Sequence, residues 1–382
     1  MPEEIRHIPV ERGITKVALM RGDEELSRTL VVPMTMQVGR ARLRMDGIGD
    51  VATPEEHRFK GYSRRVLEAA VSFMTAGDAV LTTLYGIPDF YPKYGYATLG
   101  PESEITIRSL EERARIPDRL EARAGEPGDL PALQRLYREE TATSIGALVR
   151  DDDWWTWSML EEALKPGANE VRVIVRDRVV VGYAWKTSKC WWMKQWTKRR
   201  PEQMKIGEAF ATDVEAADAV LAACRLWSQE EGGKPVALAI PGTVRVGAAA
   251  RLQDVNVTER FHDAAEFMGR STGLAPLLRA MRPELESRWR PVSGSMPPFA
   301  ITIVAGNERA TMRSNEQGVE IDSGRTGDVE VCIDPGNVAR LALGGFDPVR
   351  LLERLEIPVA VFPVLTTLFS RQFPYIYPVD RF

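Results

Sequence analysis

The densest chemistry in the sequence lies between Val51 and Arg65, VATPEEHRFKGYSRR. An apolar, strand-like end gives way to Arg58, Lys60, Arg64 and Arg65, grouped about Gly61, and an amphipathic helix follows at once. The first N–H groups of a helix lack intrahelical partners and point outward, and the helix dipole favours negative charge there. Cations at that end are unfavourable unless an anion joins them, and a glycine lets backbone approach a phosphate closely. Taken alone, the stretch reads either as an anion site or as a solvated basic turn. Downstream, FYPKYGY holds three phenols, Tyr91, Tyr94 and Tyr96, able to give up a proton or simply to pack.

Other chemistries are poorly supplied. Cys190, Cys224 and Cys332 are far apart and odd in number, which suits a reducing compartment and gives neither a disulfide framework nor a metal spacing. His7, His57 and His262 are too scattered for a zinc site, so no metal is expected. A net charge of −4 and a pI near 5.7 argue against nucleic acid as the main partner. The N-terminus MPEEIRHIPVERG lacks the apolar core of a secretory signal, and the apolar run Ile357–Phe369 is short and holds two prolines. The expectation is a cytoplasmic protein with no membrane partner.

The elements that position these residues follow from hydrophobic periodicity. ITKVALM and RTLVVPMTMQV alternate as strands about the polar turn RGDEELS, and ARLRMDGIGDVA continues the sheet to Ala52. SRRVLEAAVSFM is an amphipathic helix with Val66, Leu67, Ala70, Val71 and Met74 on one face. AVLTTLYG and SEITIRSL read as further strands on either side of the aromatic segment. The order then restarts: LEARAG, a helix after Glu126-Pro127-Gly128-Asp129, the strands EVRVIVRDR, VVVGYAWKTS and IGEAFAT, the helix AADAVLAACRLWSQ, and PVALAIPG. Trp154, Trp155, Trp157, Trp191, Trp192 and Trp196 cluster in this part, where core and interface packing is their expected use. From about residue 291 short alternating strands lead into a helical stretch broken at Gly344-Gly345. The expected fold class is α/β (α+β), with mixed-sheet domains over 1–118 and 119–290 and a smaller α+β domain over 291–382.

VATPEEHRFKGYSRRVL resembles the cofactor motif of the GCN5-related N-acetyltransferases (GNAT), a strand, then R/Q-x-x-G-x-G/A, then a helix. Here it reads Arg58-Phe59-Lys60-Gly61-Tyr62-Ser63, with Ser63 in place of the last small residue. The resemblance implies that acetyl-CoA is the co-substrate. Phe59, Lys60, Gly61, Tyr62, Ser63 and Arg64 would hold its pyrophosphate by backbone amides, and Val51, Ala52 and Thr53 would pair with the pantetheine arm. Gly86 and Ile87, at the end of AVLTTLYG, are implied to contact the cofactor as well. LYGIPDFYPKYGY is similar to the segment carrying the family's catalytic tyrosine, which by position is Tyr91. The second copy's turn, IGEAFATDVEAADAVLAA, has no basic cluster and places Asp213, Glu215 and Asp218 at the helix entrance, so it is expected to bind no cofactor.

Two such units followed by a small α+β domain resemble the enhanced intracellular survival (Eis) family, whose third unit is like sterol carrier protein. The tail LTTLFSRQFPYIYPVDRF is similar to that family's aromatic tail, which enters the first domain's active site and offers its terminal carboxylate as base. Transferred here, Tyr91 is the general acid and Phe382 supplies the base, for acetyl transfer to an aminoglycoside-, polyamine- or lysine-like amine. Asp46, Asp50 and Asp380 are candidates to attract a cationic amine, or plain surface charges. The resemblance also implies a trimer-based homo-oligomer, possibly a hexamer, and two helices ahead of the cofactor strand. The roughly 50 residues before Val51 read as strands and turns, so the expectation is that those helices are lost or that the start is late. A catalytically weak coenzyme A-binding scaffold and a lipid carrier stand as alternatives.

Overall fold

The computed structural model describes residues 1–107, 115–158, 160–315, 318–323 and 326–382. Two compact units are formed from interleaved segments: residues 1–101, 261–374 and 382 in one, 102–260 and 375–381 in the other.

The first unit is built on a mixed sheet. Its strands are β1 (Glu3–Pro9), β2 (Thr15–Arg21), β3 (Glu24–Val38), β4 (Ala41–Ala52), β5 (Leu81–Gly86), β6 (Ala97–Thr98) and β7 (Glu266–Ser271), in the spatial order β1-β2-β3-β4-β5-β7-β6. β1 to β4 form an antiparallel meander. β5 joins β4 in parallel through helix α1 (Tyr62–Ala76), and β7 inserts antiparallel between β5 and β6. α1 lays Val66, Leu67, Ala70 and Met74 on the sheet beside Val17, Leu19, Val31, Ile48 and Leu84. Leu67 is 1% exposed, so truncating it to alanine costs about 2–5 kcal/mol. Ahead of β4 the chain runs as three strands joined by short turns, one of them at Glu11–Gly13. β1 was not foreseen: EEIRHIP is too charged to read as a strand, because on an edge only Ile5 reaches the core.

The same unit holds α2 (Leu274–Trp289), β8 (Ala300–Ala305), β9 (Glu308–Asn315), β10 (Gly318–Asp322), β11 (Val329–Cys332) and α3 (Pro335–Leu343), the four strands ordered β10-β9-β8-β11. This segment does not stand apart as the expected 291–382 domain. Gly336 in α3 sits on Gly95 and Ala97, and Gly345 on Leu99, approaches so close that a side chain at either glycine would collide with backbone.

In the second unit an antiparallel sheet orders the strands Glu208–Ala211, Val179–Trp185, Val171–Arg176 and Glu121–Ala124. Another orders Met204–Ile206, Val236–Leu238, Glu102–Ile107 and Val255–Arg260. Glu102–Ile107 is the described part of the strand expected to end the first domain; it pairs with Val236–Leu238 and Val255–Arg260 instead, and the expected residues 108–110 lie outside the described residues. The boundary expected at 118 is therefore replaced by an exchange of strands. Trp154, Trp155, Tyr137, Tyr183, Phe210, Trp227, Tyr375 and Tyr377 fill this unit's core, whereas Trp191 is exposed. Among the described residues no helix is long and apolar enough to cross a membrane.

Candidate active site

The site begins where two strands part. β4 and β5 pair in parallel from Met45–Leu81 to Ile48–Leu84 and no further, although β4 runs on to Ala52 and β5 to Gly86. On its other side β4 stays bonded to β3 as far as Ala52, across an irregularity at Asp50–Val51 that turns Asp50 to φ 45°. Beyond Ile48, the backbone of β4 facing β5 therefore has no strand partner among the described residues. An extended chain with amide groups can add there as a strand.

The basic turn follows directly. Gly61, at φ 78°, lies in the left-handed region and is exposed, so the fold needs glycine there for its conformation and not for space. Phe59 is also left-handed, at φ 63°, which an aromatic residue rarely adopts. Arg65 and the Tyr62 hydroxyl both donate to the Glu3 carboxylate of β1, as does Arg21 of β2 (Tyr62 and Arg21 each at 2.8 Å). Arg21, Tyr62 and Arg65 together hold that carboxyl at about 2, well below the usual range. This brace ties the first turn of α1 to the sheet edge. Arg64 pairs with Glu68 on its own helix. Among the described residues Arg58 and Lys60 donate only to the carbonyls of Thr53 and Glu56, so their charge stays available to an anion.

Tyr91 is buried, and its ring lies over Gly86, where any side chain would strike it and Met268. Gly86 thus serves the tyrosine as a floor, while neighbouring Ile87 is 62% exposed. Phe90 and Tyr96 meet Tyr91 edge-on, at ring separations of 5.0 and 6.2 Å. Burial pushes the Tyr91 phenol up to about 12, with Tyr94 adding to it, so the hydroxyl keeps its proton at neutral pH. Phe382, the last residue, lies against β4 in the same unit. Its ring and Met34 occupy the space a side chain at Gly47 would need, and its carboxyl carbon lies 3.2 Å from where a Cβ at Gly49 would be. Alternation places Gly47 and Gly49 on the face opposite Ile48, whereas Gly86 shares the face of Leu84, the register partner of Ile48. Gly47 and Gly49 were missed from sequence; the signal was the G-I-G spacing in MDGIGD, which strips one strand face of side chains.

The proposed acidic residues are placed differently. The Asp50 carboxylate takes Arg28 Nε at 2.7 Å and remains half exposed. Asp380 belongs to the second unit, fully buried, with Oδ1 and Oδ2 on Arg150 at 3.1 and 2.9 Å. Arg150 also binds Glu208 and stacks 3.5 Å from the Tyr137 ring centroid. Burial pushes Asp380 up to about 6 against the pull of Arg150. A carboxylate so enclosed has no face to offer an amine and is no surface charge, which corrects both expectations for Asp380. Asp46 is half-buried on β4, without a hydrogen bond among the described residues.

In the second unit the entrance of the helix Val214–Glu230 carries its own anions. Asp213 accepts from the Ala216 amide at 2.9 Å and binds Arg176 through both oxygens, while Glu215 binds Arg176 and Arg119. Arg176 drives the Asp213 carboxyl well below its usual range.

Residues 4–99 match the family model described as an acetyltransferase (GNAT) domain. The chain thus carries a GNAT acetyltransferase domain, an acyltransferase class whose co-substrate is acetyl-CoA. The whole chain is similar in fold to a GCN5-related N-acetyltransferase from Kribbella flavida (17% identity, 96% of this chain and 88% of that one, TM-score 0.67). A conserved protein of unknown function from Enterococcus faecalis, a probable N-acyltransferase, is similar at 17% identity over 97% and 89%, with TM-score 0.72. Eis1 from Mycobacterium abscessus is similar at 15% identity over the full length of both chains, with TM-score 0.64. No curated protein matches the chain in sequence.

Proposed function

We propose that the chain moves the acetyl group of acetyl-CoA to a primary amine, of aminoglycoside-, polyamine- or lysine-like type, in the manner of the Eis proteins. The observation that carries this reading is the early end of β4–β5 pairing directly before the Arg58–Gly61 turn. The free backbone of β4 suits the amide-bearing pantetheine arm, and the uncommitted Arg58 and Lys60 suit its phosphates.

The amine attacks as a free base, forming the N–C bond while the C–S bond breaks. Its proton passes to the Phe382 carboxylate, and the departing thiolate takes the proton of Tyr91. Acid and base on opposite faces of the parted strands suit this order, because nucleophile and leaving group lie on different sides of the carbonyl. Backbone N–H groups near Val51 suit the developing oxyanion. A phenol raised to about 12 is protonated throughout the working range, as a proton donor must be.

Acetyl-CoA consumption over a panel of amines tests the reading. Turnover is expected with at least one amine, falling about 10²-fold in Tyr91→Phe. One residue added beyond Phe382 should lower kcat similarly. An extended protein with full activity would remove the carboxylate from the mechanism, and a protein inert to every amine would leave only cofactor binding.

A further inference from the structure

Phe59 is the most exposed large apolar side chain among the described residues, at 106% of its reference area, inside the charged run EEHRFKGYSRR. It neither packs nor caps, and its left-handed backbone would be relieved by glycine. A strained, solvent-bound aromatic contributes nothing to the folded chain taken alone. Its sequence neighbours are Arg58 and Lys60, the cations of the turn whose only described partners are carbonyls. An aromatic face between two free cations matches a group that is planar and aromatic on one side and anionic on the other, which is a nucleotide.

We infer that the Phe59 ring stacks on the adenine of coenzyme A and makes the enzyme select the nucleotide end of its co-substrate, not the thioester alone. This rests on the acetyl-CoA reading above. Phe59 was expected to act through its backbone amide only; the exposure of the ring adds a role for its side chain. Stacking is indifferent to which base is present, so the ring supplies affinity and the phosphate contacts of Arg58 and Lys60 supply orientation.

Steady-state kinetics on the full chain compare acetyl-CoA with S-acetylpantetheine, which carries the same thioester and no nucleotide. Phe59→Ala is expected to raise KM for acetyl-CoA about tenfold, as loss of one base–aromatic stack does, and to leave kcat and the KM for S-acetylpantetheine unchanged. Phe59→Trp should restore the acetyl-CoA value. Phe59→Gly should raise Tm by relaxing the backbone while still weakening coenzyme A in titration calorimetry, a pairing that a purely structural role does not produce. Equal KM increases for both thioesters would mean that the turn has collapsed and would overturn the inference. Unchanged coenzyme A affinity in Phe59→Ala overturns it while leaving the acetyltransferase reading intact. A wild-type protein that binds no coenzyme A overturns both.

Discussion

Asp46 holds a carboxyl on β4 that burial pushes up to about 6, with Asp78 adding to the shift and Arg44 opposing it. The folded state therefore binds this proton more tightly than the unfolded chain, whose value is near 3.8. Stability from this group is present at low pH and is lost as pH rises from about 4 to 6. Asp46→Asn removes the penalty and, with the site partly open to solvent, should add about 1 kcal/mol at pH 7.5 and nothing at pH 4. Denaturant melts at the two pH values check it; a destabilised variant at pH 7.5 would mean that the carboxylate has a partner. At this scale the sequence disclosed what was local. Arg58, Gly61 and Tyr91 stand in short motifs whose spacing carries their meaning, whereas Asp380 did not, because a carboxylate's role depends on whether an arginine 230 residues away encloses it.

The elements were legible where their periodicity was strong. α1, β4 and the two helical pieces about Gly344-Gly345 follow the expected segments within a few residues. β1 escaped because an edge strand needs only one partly buried apolar side chain, here Ile5, and the turn expected at 21–27 shrank because β3 extends back to Glu24. The consequential detail is the glycine-lined face of β4. Gly49→Ala brings a methyl within 3.2 Å of the Phe382 carboxyl carbon, enough to shift the proposed base. A displacement of about 1 Å costs on the order of 10²-fold, and this contact demands only a few tenths of that, so kcat should fall by roughly 3- to 5-fold while KM for acetyl-CoA stays within about twofold. Gly47→Ala meets the ring and Met34, and overpacking should cost about 1–3 kcal/mol in addition. If both variants keep wild-type kcat and Tm, Phe382 is not seated there.

At the scale of the molecule, the repeat of element order was visible and the way the units share the chain was not. Nothing in Glu266–Ser271 marks it as the strand that separates β5 from β6, since its six residues read like any half-buried strand. The matched acetyltransferase segment, residues 4–99, thus lacks one strand of its own sheet. A fragment of residues 1–118 should be poorly folded, with no cooperative thermal transition by circular dichroism and narrow amide dispersion by NMR. A cooperative fragment would show β7 to be dispensable.

That borrowed strand also sets a clock on biosynthesis. Some 180 residues separate Gly86 from Glu266, and at about 5–20 residues per second a ribosome needs roughly 10–40 s to bridge them. Through that interval β5 waits with one edge unpaired and apolar, the kind of surface that recruits a neighbouring nascent chain or a chaperone. Yield in cells should accordingly respond to translation speed and chaperone supply more than the stability of the finished protein would suggest.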